Sequence, residues 1–446
     1  MIKTPIIPEK VHFHGEKDTL DYEAICCFVA TGFFLGRSTR YKSLKAYSPA
    51  TIIDNKGKAK KWFEWHYNPR NINLKQATEE FADIFENIIK NQLKSKKVIL
   101  PLSGGLDSRT QAVAIRNLDT EVNAYSYHFK NGHNESWYGK TIASICGFNF
   151  KSYKINPGYL WEKLNKIYSI NDGYSDFTHP RQMAIFDEYS RLGDIFSLGH
   201  WGDVLFDGMG VPDNLTFEQQ INVIIKTITK TGGPGLARML WEDWGCQGSF
   251  DVFFKNRIAD LLNKININHS ANARIRAFKS SYWAHRWTSV NLSFFSAAKP
   301  ISVPYYNDKI CRFICTVPER LLYRRKIQIE YIKMNAPDLA KISWQQHRPF
   351  NLYNYSFNKL PWNIPFRLLN KGGNLIKGLL GQEHVQRNWE LQFLGRKNQE
   401  KFKEALFTKN IVPKKTISNY WNLFTKINQK EYAHPISMLL TLSKFR

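Results

Sequence analysis

The sequence predicts an α/β fold, in which a doubly wound parallel sheet is followed by a mainly helical C-terminal half. Short apolar runs alternate with segments of helical periodicity over about residues 71–214, in the order β-α-β-α-β-α-α-β. One of these runs, Val98 to Leu102, stops abruptly at a glycine turn that leads into a helix. From about residue 215 to 446, strand-like runs become rare and most segments favour helix.

Residues 1–70 form a lead-in segment before the sheet. Apolar spacing predicts a helix over Tyr22 to Phe34. Two strand-like pieces, Thr51 to Asp54 and Lys61 to Tyr67, flank the turn Asn55-Lys-Gly57 and predict a hairpin. A helix with one hairpin cannot be a stable domain by itself.

The remaining elements follow from periodicity and turn residues. In the sheet region we predict helices at Leu74 to Leu93, Thr110 to Asn117, Ser136 to Cys146, Tyr159 to Ser169 and Arg181 to Leu192, and further strands at Glu121 to Phe129, Phe150 to Ile155 and Asp194 to Leu198. In the second half we predict helices at Gln219 to Thr229, Asn256 to Lys264, Ile310 to Cys315, Gln328 to Met334 and Gln399 to Leu406, with loops at Gly232 to Gly235 and Lys371 to Gly373.

Composition narrows the class of protein. The net charge of +25 suits nucleic acid, an anionic membrane surface, acidic substrates or a generally basic surface, and the basic residues are spread along the chain. The six cysteines fit neither a disulfide framework nor a zinc site, which favours a reducing compartment. The longest apolar run, Ala24 to Leu35, is too short to span a membrane, and no secretion signal begins the chain. We expect a soluble cytoplasmic protein.

The glycine turn Ser103-Gly104-Gly105-Leu106-Asp107-Ser108 is the main chemical signal. At a strand-to-helix junction, glycine leaves backbone N–H groups open and the helix dipole directs them at an anion. Asp107 supplies a carboxylate where a phosphate-bound metal would lie. The turn lacks the lysine of the loop that cradles phosphates for γ-transfer. The sequence therefore predicts a nucleotide phosphate site, with ATP and Mg²⁺ as cofactors.

Two segments carry a family resemblance. The turn Ser103–Ser108 resembles the pyrophosphate (PP) loop of the ATP pyrophosphatase superfamily, whose members cleave between the α- and β-phosphates. Residues 197–208, Ser-Leu-Gly-His-Trp-Gly-Asp-Val-Leu-Phe-Asp-Gly, resemble the second strand end of class B asparagine synthetases, with matches at Gly199, Asp203, Phe206 and Gly208. The resemblance extends from about Tyr22 to the C-terminus. It implies a sheet of the adenine nucleotide alpha-hydrolase type, and it makes Asp203 a second magnesium ligand facing Asp107.

The resemblance also implies a set of site residues. The ATP and pyrophosphate contacts would be Leu102, Ser103, Gly104, Gly105, Leu106, Asp107, Ser108, Tyr127, Leu198 and Gly199. Lys326 matches a lysine that the family uses on the phosphates. The turn Val303-Pro304, with Tyr305 and Asp308 behind it, matches a turn that lines the family's site.

Three departures limit what the resemblance implies. The family's glutaminase nucleophile is an N-terminal cysteine, whereas position 2 is Ile, so residues 1–70 resemble a remnant of that domain and residues 71–446 the synthetase. The family's Glu near the acyl-adenylate is His200 here, which could act as a base. Its second lysine corresponds to His347, and Arg348 is the adjacent cation. We therefore predict catalytic roles for Lys326, His200, Arg348 and His347.

The expected function is an AMP-forming carbon–nitrogen ligase without its own glutaminase activity. It would adenylate a small-molecule carboxylate and transfer ammonia or an amine, with a separate glutaminase as a conceivable partner and a role in polysaccharide or natural-product biosynthesis. A tRNA-modifying enzyme of the same superfamily and an inactive ATP-binding scaffold remain alternatives. Nucleic acid is not the expected partner, because no RNA-binding module accompanies the charge.

Overall fold

A computed structural model describes residues 2–132, 134–366, 368, 392–393, 395–408 and 410–445. Within these ranges, the central sheet has five parallel strands in the spatial order Ile301–Ser302, Ile195–Ser197, Val98–Pro101, Val122–Phe129 and Asn149–Ile155. The four strands predicted from the sequence are confirmed, as is the α/β class. The fifth strand was missed because two residues are too short to show any periodicity.

The helices of the sheet region are close to prediction. They span Leu74–Leu93, Leu106–Ile115, Ser136–Cys146 and Tyr159–Asn171, while Arg181–Arg191 is a 3₁₀-helix. The helix after the PP loop begins at Leu106, four residues earlier than predicted, with Gly105 as its extended N-cap. This early start places Asp107 and Ser108 in the first helical turn, where the helix dipole is positive.

The second half is helical, as predicted. Its helices span Phe217–Ile228, Gly233–Asp243, Phe250–Asn263, Ala271–Phe278, Ser289–Ser296, Asp308–Ile314, Glu319–Leu322, Lys326–Asn335, Pro337–Ala340, Arg396–Phe407, Lys414–Asn422 and Gln429–Leu442. A π-helix, Lys279–Thr288, joins Ala271–Phe278 to Ser289–Ser296. The predicted loop Lys371 to Gly373 lies outside the described residues.

The prediction of a loop at Gly232 to Gly235 is wrong. Gly232 has a φ of 74° and caps a helix that begins at Gly233 with Pro234 in its first turn. Proline is favoured there because its missing N–H would have no partner in any case. A Cβ on Gly233 would lie 2.7 Å from the carbonyl oxygen of Ala30, so the glycine allows this helix to pack closely on the N-terminal segment.

The N-terminal segment packs into both cores of the molecule. Its helix, Tyr22–Thr31, is buried among the C-terminal helices. The hairpin strands are Thr51–Ile53 and Ala59–Lys61, and Ile2–Lys3 pairs with the first of them. The second hairpin strand was predicted at Lys61 to Tyr67, which is wrong, because the alternating aromatic residues there pack against the sheet core instead. No helix in the described ranges combines the length and apolarity needed to cross a membrane.

Candidate active site

The PP loop lies at the carboxyl end of the central strand, where ligands bind in sheets of this kind. The Ser103 and Ser108 hydroxyls are 3.2 Å apart, and the backbone N–H of Gly105 donates to Ser103 Oγ at 3.3 Å. A Cβ on Gly104 would lie 2.6 Å from Cβ of Gln345. Glycine is therefore required at position 104, because Gln345 packs directly on the loop.

Asp107 lies at the centre of the site in a crowded environment. Its carboxylate forms an ion pair with Arg325 and accepts a hydrogen bond from Gln328 Nε2 at 3.1 Å. A Cβ on Gly202 would overlap the Asp107 carboxylate, so the second strand end packs against the first. Burial and the negative charge of Asp203 raise the pKa of Asp107, while Arg325 opposes the rise. The two predicted metal carboxylates therefore share one electrostatic environment.

The second strand end carries Asp203 and His200. Asp203 is exposed in the first turn of a short helix, Gly202–Leu205, and Trp201 enters that turn with a φ of 78°. A non-glycine residue in this conformation marks a strained turn of the kind found at functional sites. Burial lowers the pKa of His200 to about 4, so its imidazole is neutral at pH 7. His200 Nδ1 is buried and has no hydrogen-bond partner among the described residues.

A pocket of about 360 Å³ adjoins the loop on the side of the neighbouring strand. It is lined by the predicted adenosine contacts Leu102, Ser103 and Tyr127, together with Phe129 and Glu135. Pockets that bury most of a small ligand have volumes of this order. Leu198 and Gly199, the other predicted contacts, lie across the loop, where Gly199 faces Asp107.

A second cleft, of about 390 Å³, lies on the other side of the loop. Gly105, Leu106, Glu135, Arg325 and Arg348 are among its lining residues. Since Glu135 lines both cavities, the adenosine-sized pocket and the arginine-lined cleft adjoin at the PP loop. Guanidinium groups are well suited to phosphate, which they bind through paired donors.

The structure separates the predicted basic residues. Lys326 Nζ donates to the carbonyl oxygen of Arg320 at 3.0 Å, whereas its neighbour Arg325 points to Asp107. Both Arg324 and Arg325 have positive φ, 56° and 61°, and this left-handed pair turns Arg325 inward. Arg325 was missed by sequence reasoning, although it lies in the same basic run.

His347 and Arg348 also have different surroundings. The ring of His347 packs at 4.3 Å from the ring of Trp344, and its Nδ1 is 3.2 Å from Asn358 Nδ2. Burial and the charge of Arg324 lower the pKa of His347. Arg348, in contrast, is exposed and lines the arginine-lined cleft. Of the two, only Arg348 is among the residues that line this cleft.

A buried arginine that sequence reasoning missed fixes this part of the site. Arg109 donates to the carbonyl oxygens of Ile342 and Ser343, each at 3.0 Å. Burial lowers its pKa to about 10, which leaves it charged at pH 7. Arg109 thereby ties the segment before Gln345 to the helix of the PP loop. The sequence feature that could have identified Arg109 is its position directly after Asp107-Ser108 of the loop motif.

The donor set fits a magnesium ion bound together with phosphates. Asp107 and Asp203 offer hard carboxylate oxygens, and Mg²⁺ in nucleotide sites is held by one or two carboxylates plus phosphate oxygens. Within the described ranges, no group of three or more His, Cys, Asp or Glu side chains could hold a metal by itself. The charge of Asp203 raises the pKa of Asp107 while Arg325 opposes the rise, and a bound cation would act in the same direction as Arg325.

Comparison with known proteins gives a family and two structural likenesses. A family model described as asparagine synthase matches residues 80–330, more than half of the chain. Among solved structures, the chain is similar to NMN synthetase from Francisella tularensis, with 16% identity over 48% of this chain and 97% of that chain and a TM-score of 0.25. It is also similar to NH3-dependent NAD synthetase from Campylobacter jejuni, with 14% identity over 42% and 94% of the two chains and a TM-score of 0.22. The comparison with curated proteins finds no match.

Proposed function

The chain belongs to the asparagine synthase family of ATP-dependent, amide-forming ligases, and we propose that its own reaction adenylates a substrate carboxylate, releases pyrophosphate and passes the acyl group to ammonia or an amine. The observation that carries the proposal is the meeting of two cavities at the PP loop. An adenosine-sized pocket lies on one side of Ser103, and a cleft lined by Arg325 and Arg348 lies on the other. ATP bound across the loop would expose its α-phosphate between them.

In the first step, a carboxylate oxygen of the substrate forms a bond to the α-phosphorus and the bond to the β-phosphate oxygen breaks. Backbone N–H groups of the loop and the dipole of the helix Leu106–Ile115 stabilise the phosphates. Arg348, which lines the cleft, stabilises the departing pyrophosphate through its positive charge. Asp107 and Asp203 would hold Mg²⁺, which would supply neutralisation of the phosphate charge.

In the second step, the nitrogen of ammonia or an amine attacks the acyl carbon and AMP leaves. The attacking nitrogen must lose a proton as the carbon–nitrogen bond forms. His200 lies near Asp203 as a neutral imidazole, and its ring is a candidate acceptor for that proton. Lys326 remains a predicted phosphate contact, but Arg325 is better placed, because its guanidinium lies at Asp107.

The test is exchange of labelled pyrophosphate into ATP, measured with a panel of carboxylic acids. Asp203→Asn should abolish exchange, because it removes a carboxylate from the reaction centre. Asp119→Asn is the matched control, since Asp119 is exposed and precedes the strand Val122–Phe129, at the opposite edge of the sheet. Full exchange in Asp203→Asn would contradict the site assignment. ATP binding without exchange for any acid would favour the inactive scaffold instead.

A further inference from the structure

The peptide bond between Gly104 and Gly105 in the PP loop has one orientation that suits a phosphate. In a trans peptide, the C=O of the first residue and the N–H of the second point in opposite directions. The carbonyl oxygen of Gly104 points inward, where it accepts hydrogen bonds from Gln345 N at 3.3 Å and from Arg109 Nη2 at 3.4 Å. The N–H of Gly105 therefore points to the exposed side of the loop, where it donates to Ser103 Oγ at 3.3 Å.

Neither glycine opposes a reversal of this peptide bond. Gly105 has a φ of −78°, and rotation of the peptide plane by half a turn would change that φ to a positive value. Glycine tolerates positive φ because it has no Cβ. The reversed peptide would present the carbonyl oxygen of Gly104 to the phosphates in place of an N–H group, which an anion requires. The loop therefore depends on contacts from other residues to keep the N–H of Gly105 directed outward.

Arg109 supplies such a contact from the buried side of the loop. Its side chain is fully buried. Nη1 donates to the carbonyl oxygens of Leu339 and Ile342, at 3.3 and 3.0 Å. Nη2 donates to those of Gly104 and Ser343, at 3.4 and 3.0 Å. The rigid fork of one guanidinium group thus fixes the loop carbonyl relative to three carbonyl groups of a distant segment, and a point charge such as lysine cannot reproduce that geometry.

The charge of Arg109 also favours an anion at the loop. Among the described residues, the hydrogen bonds of its guanidinium group all go to carbonyl oxygens, and it has no ion-pair partner. Arg109 lies in the first turn of the helix Leu106–Ile115, where a cation is unfavourable for the helix. A buried cation without a matching anion is costly, and a phosphate bound at the loop would offset part of that cost.

We propose that Arg109 is a positioning residue for phosphate binding, which holds the peptide bond between Gly104 and Gly105 with its N–H outward and places a positive charge beneath the bound phosphates. The proposal rests on the proposed function, because it takes the PP loop as the phosphate site. Arg109 is not among the residues that line the adenosine-sized pocket. Its loss should therefore weaken the binding of phosphates and leave the binding of adenosine unchanged.

The test measures two ligands that contact different parts of the site, pyrophosphate with Mg²⁺ and adenosine, each by calorimetry. Arg109→Met should weaken pyrophosphate binding at least about tenfold, as expected for lost hydrogen bonds to a charged group, and should change adenosine binding by less than about twofold. Arg109→Lys keeps the charge but cannot hold four carbonyl oxygens, so its affinity for pyrophosphate should lie between those of Arg109→Met and the parent.

Arg286→Met is the matched control. Arg286 is also fully buried, and its guanidinium group donates to the carbonyl oxygens of Gly36 and Ser38. Burial lowers its pKa to about 10, as it does for Arg109. Both methionine variants should lower the midpoint of thermal unfolding, but Arg286→Met should bind pyrophosphate as tightly as the parent does.

The outcomes separate a positioning role from a purely structural one. Parallel losses of pyrophosphate and adenosine binding in Arg109→Met, or equal pyrophosphate affinities of Arg109→Met and Arg286→Met, overturn the proposal. The same comparisons apply to Arg109→Lys if Arg109→Met does not fold, and failure of both Arg109 variants to fold beside a folded Arg286→Met would assign Arg109 to folding alone. If the parent binds adenosine but neither pyrophosphate nor ATP, the proposed function is wrong, whatever the variants do.

Discussion

The buried ion pair between Asp107 and Arg325 offers a quantitative test of how the site is held together. The side chains are 23% and 10% exposed, respectively, so the pair is largely shielded from water. Arg325→Met keeps an unbranched aliphatic stem and removes the charged guanidinium. In this variant Asp107 still accepts the hydrogen bond from Gln328, but no cation from position 325 opposes the repulsion between Asp107 and Asp203.

Removing one partner of a buried ion pair costs about 3–5 kcal/mol. Because Gln328 continues to donate to Asp107, we expect a loss near the lower end, about 3 kcal/mol of unfolding free energy. Lys326→Met is the matched control, since Lys326 is adjacent and, among the described residues, donates only to the carbonyl oxygen of Arg320. That variant should lose less than about 1 kcal/mol, as is usual for a partly exposed contact.

The measurement is urea denaturation of the ATP-free protein, followed by fluorescence, for both variants and for the double variant Arg325→Met with Asp107→Asn. Asp107→Asn should recover part of the loss in the Arg325→Met background, because it removes the unpaired charge. If Arg325→Met costs no more than Lys326→Met, or if Asp107→Asn adds to the loss, the account of the pair is wrong.

Two further predictions concern the packing of the site and the response of stability to acid. A Cβ on Gly202 would lie 2.1 Å from Asp107 Oδ1, whereas a Cβ on Gly208 would have no neighbouring atom closer than 3.6 Å. Gly202→Ala should therefore weaken Mg·ATP binding at least about tenfold, and Gly208→Ala should leave it unchanged. Equal affinities of the two variants in calorimetry would contradict this prediction. Burial lowers the pKa of His434 to about 4, below about 6.5 for an unfolded imidazole. Folding therefore favours the neutral form of His434. Its contribution to the free energy of unfolding is complete above about pH 6.5 and is lost as the pH falls toward 4. His434→Gln should lose less stability than the parent between pH 7 and 5, and parallel denaturation profiles would refute it.

The sheet and its phosphate loop were predictable because their signals are local. An apolar run that ends in Ser103-Gly104-Gly105 specifies a buried strand, a turn and a helix start within a few residues. The amphipathic helix Leu74–Leu93 and the Gly147 helix stop were predictable for the same reason. The fifth strand, Ile301–Ser302, was not predictable, since its two residues are extended through pairing with the strand Ile195–Ser197.

The arrangement of charges around the loop was decided by long-range packing. From the sequence alone, Lys326 is the predicted phosphate cation and Arg325 is only its neighbour. In the structure, Arg324 and Arg325 both have positive φ, so that the Arg325 side chain points to Asp107 and the Lys326 side chain points to the carbonyl oxygen of Arg320. No local pattern predicts that reversal, because left-handed arginine is unfavourable and persists only where the surrounding structure imposes it.

The sequence by itself determined the fold class, the position of the PP loop and the two strand-end aspartates, because each depends on residues adjacent in the chain. Only the tertiary structure brought Arg325 to Asp107 and tied Arg109 to the 342–343 backbone. These contacts join residues that are far apart in sequence, and burial of charge, rather than any local preference, determines which of them form.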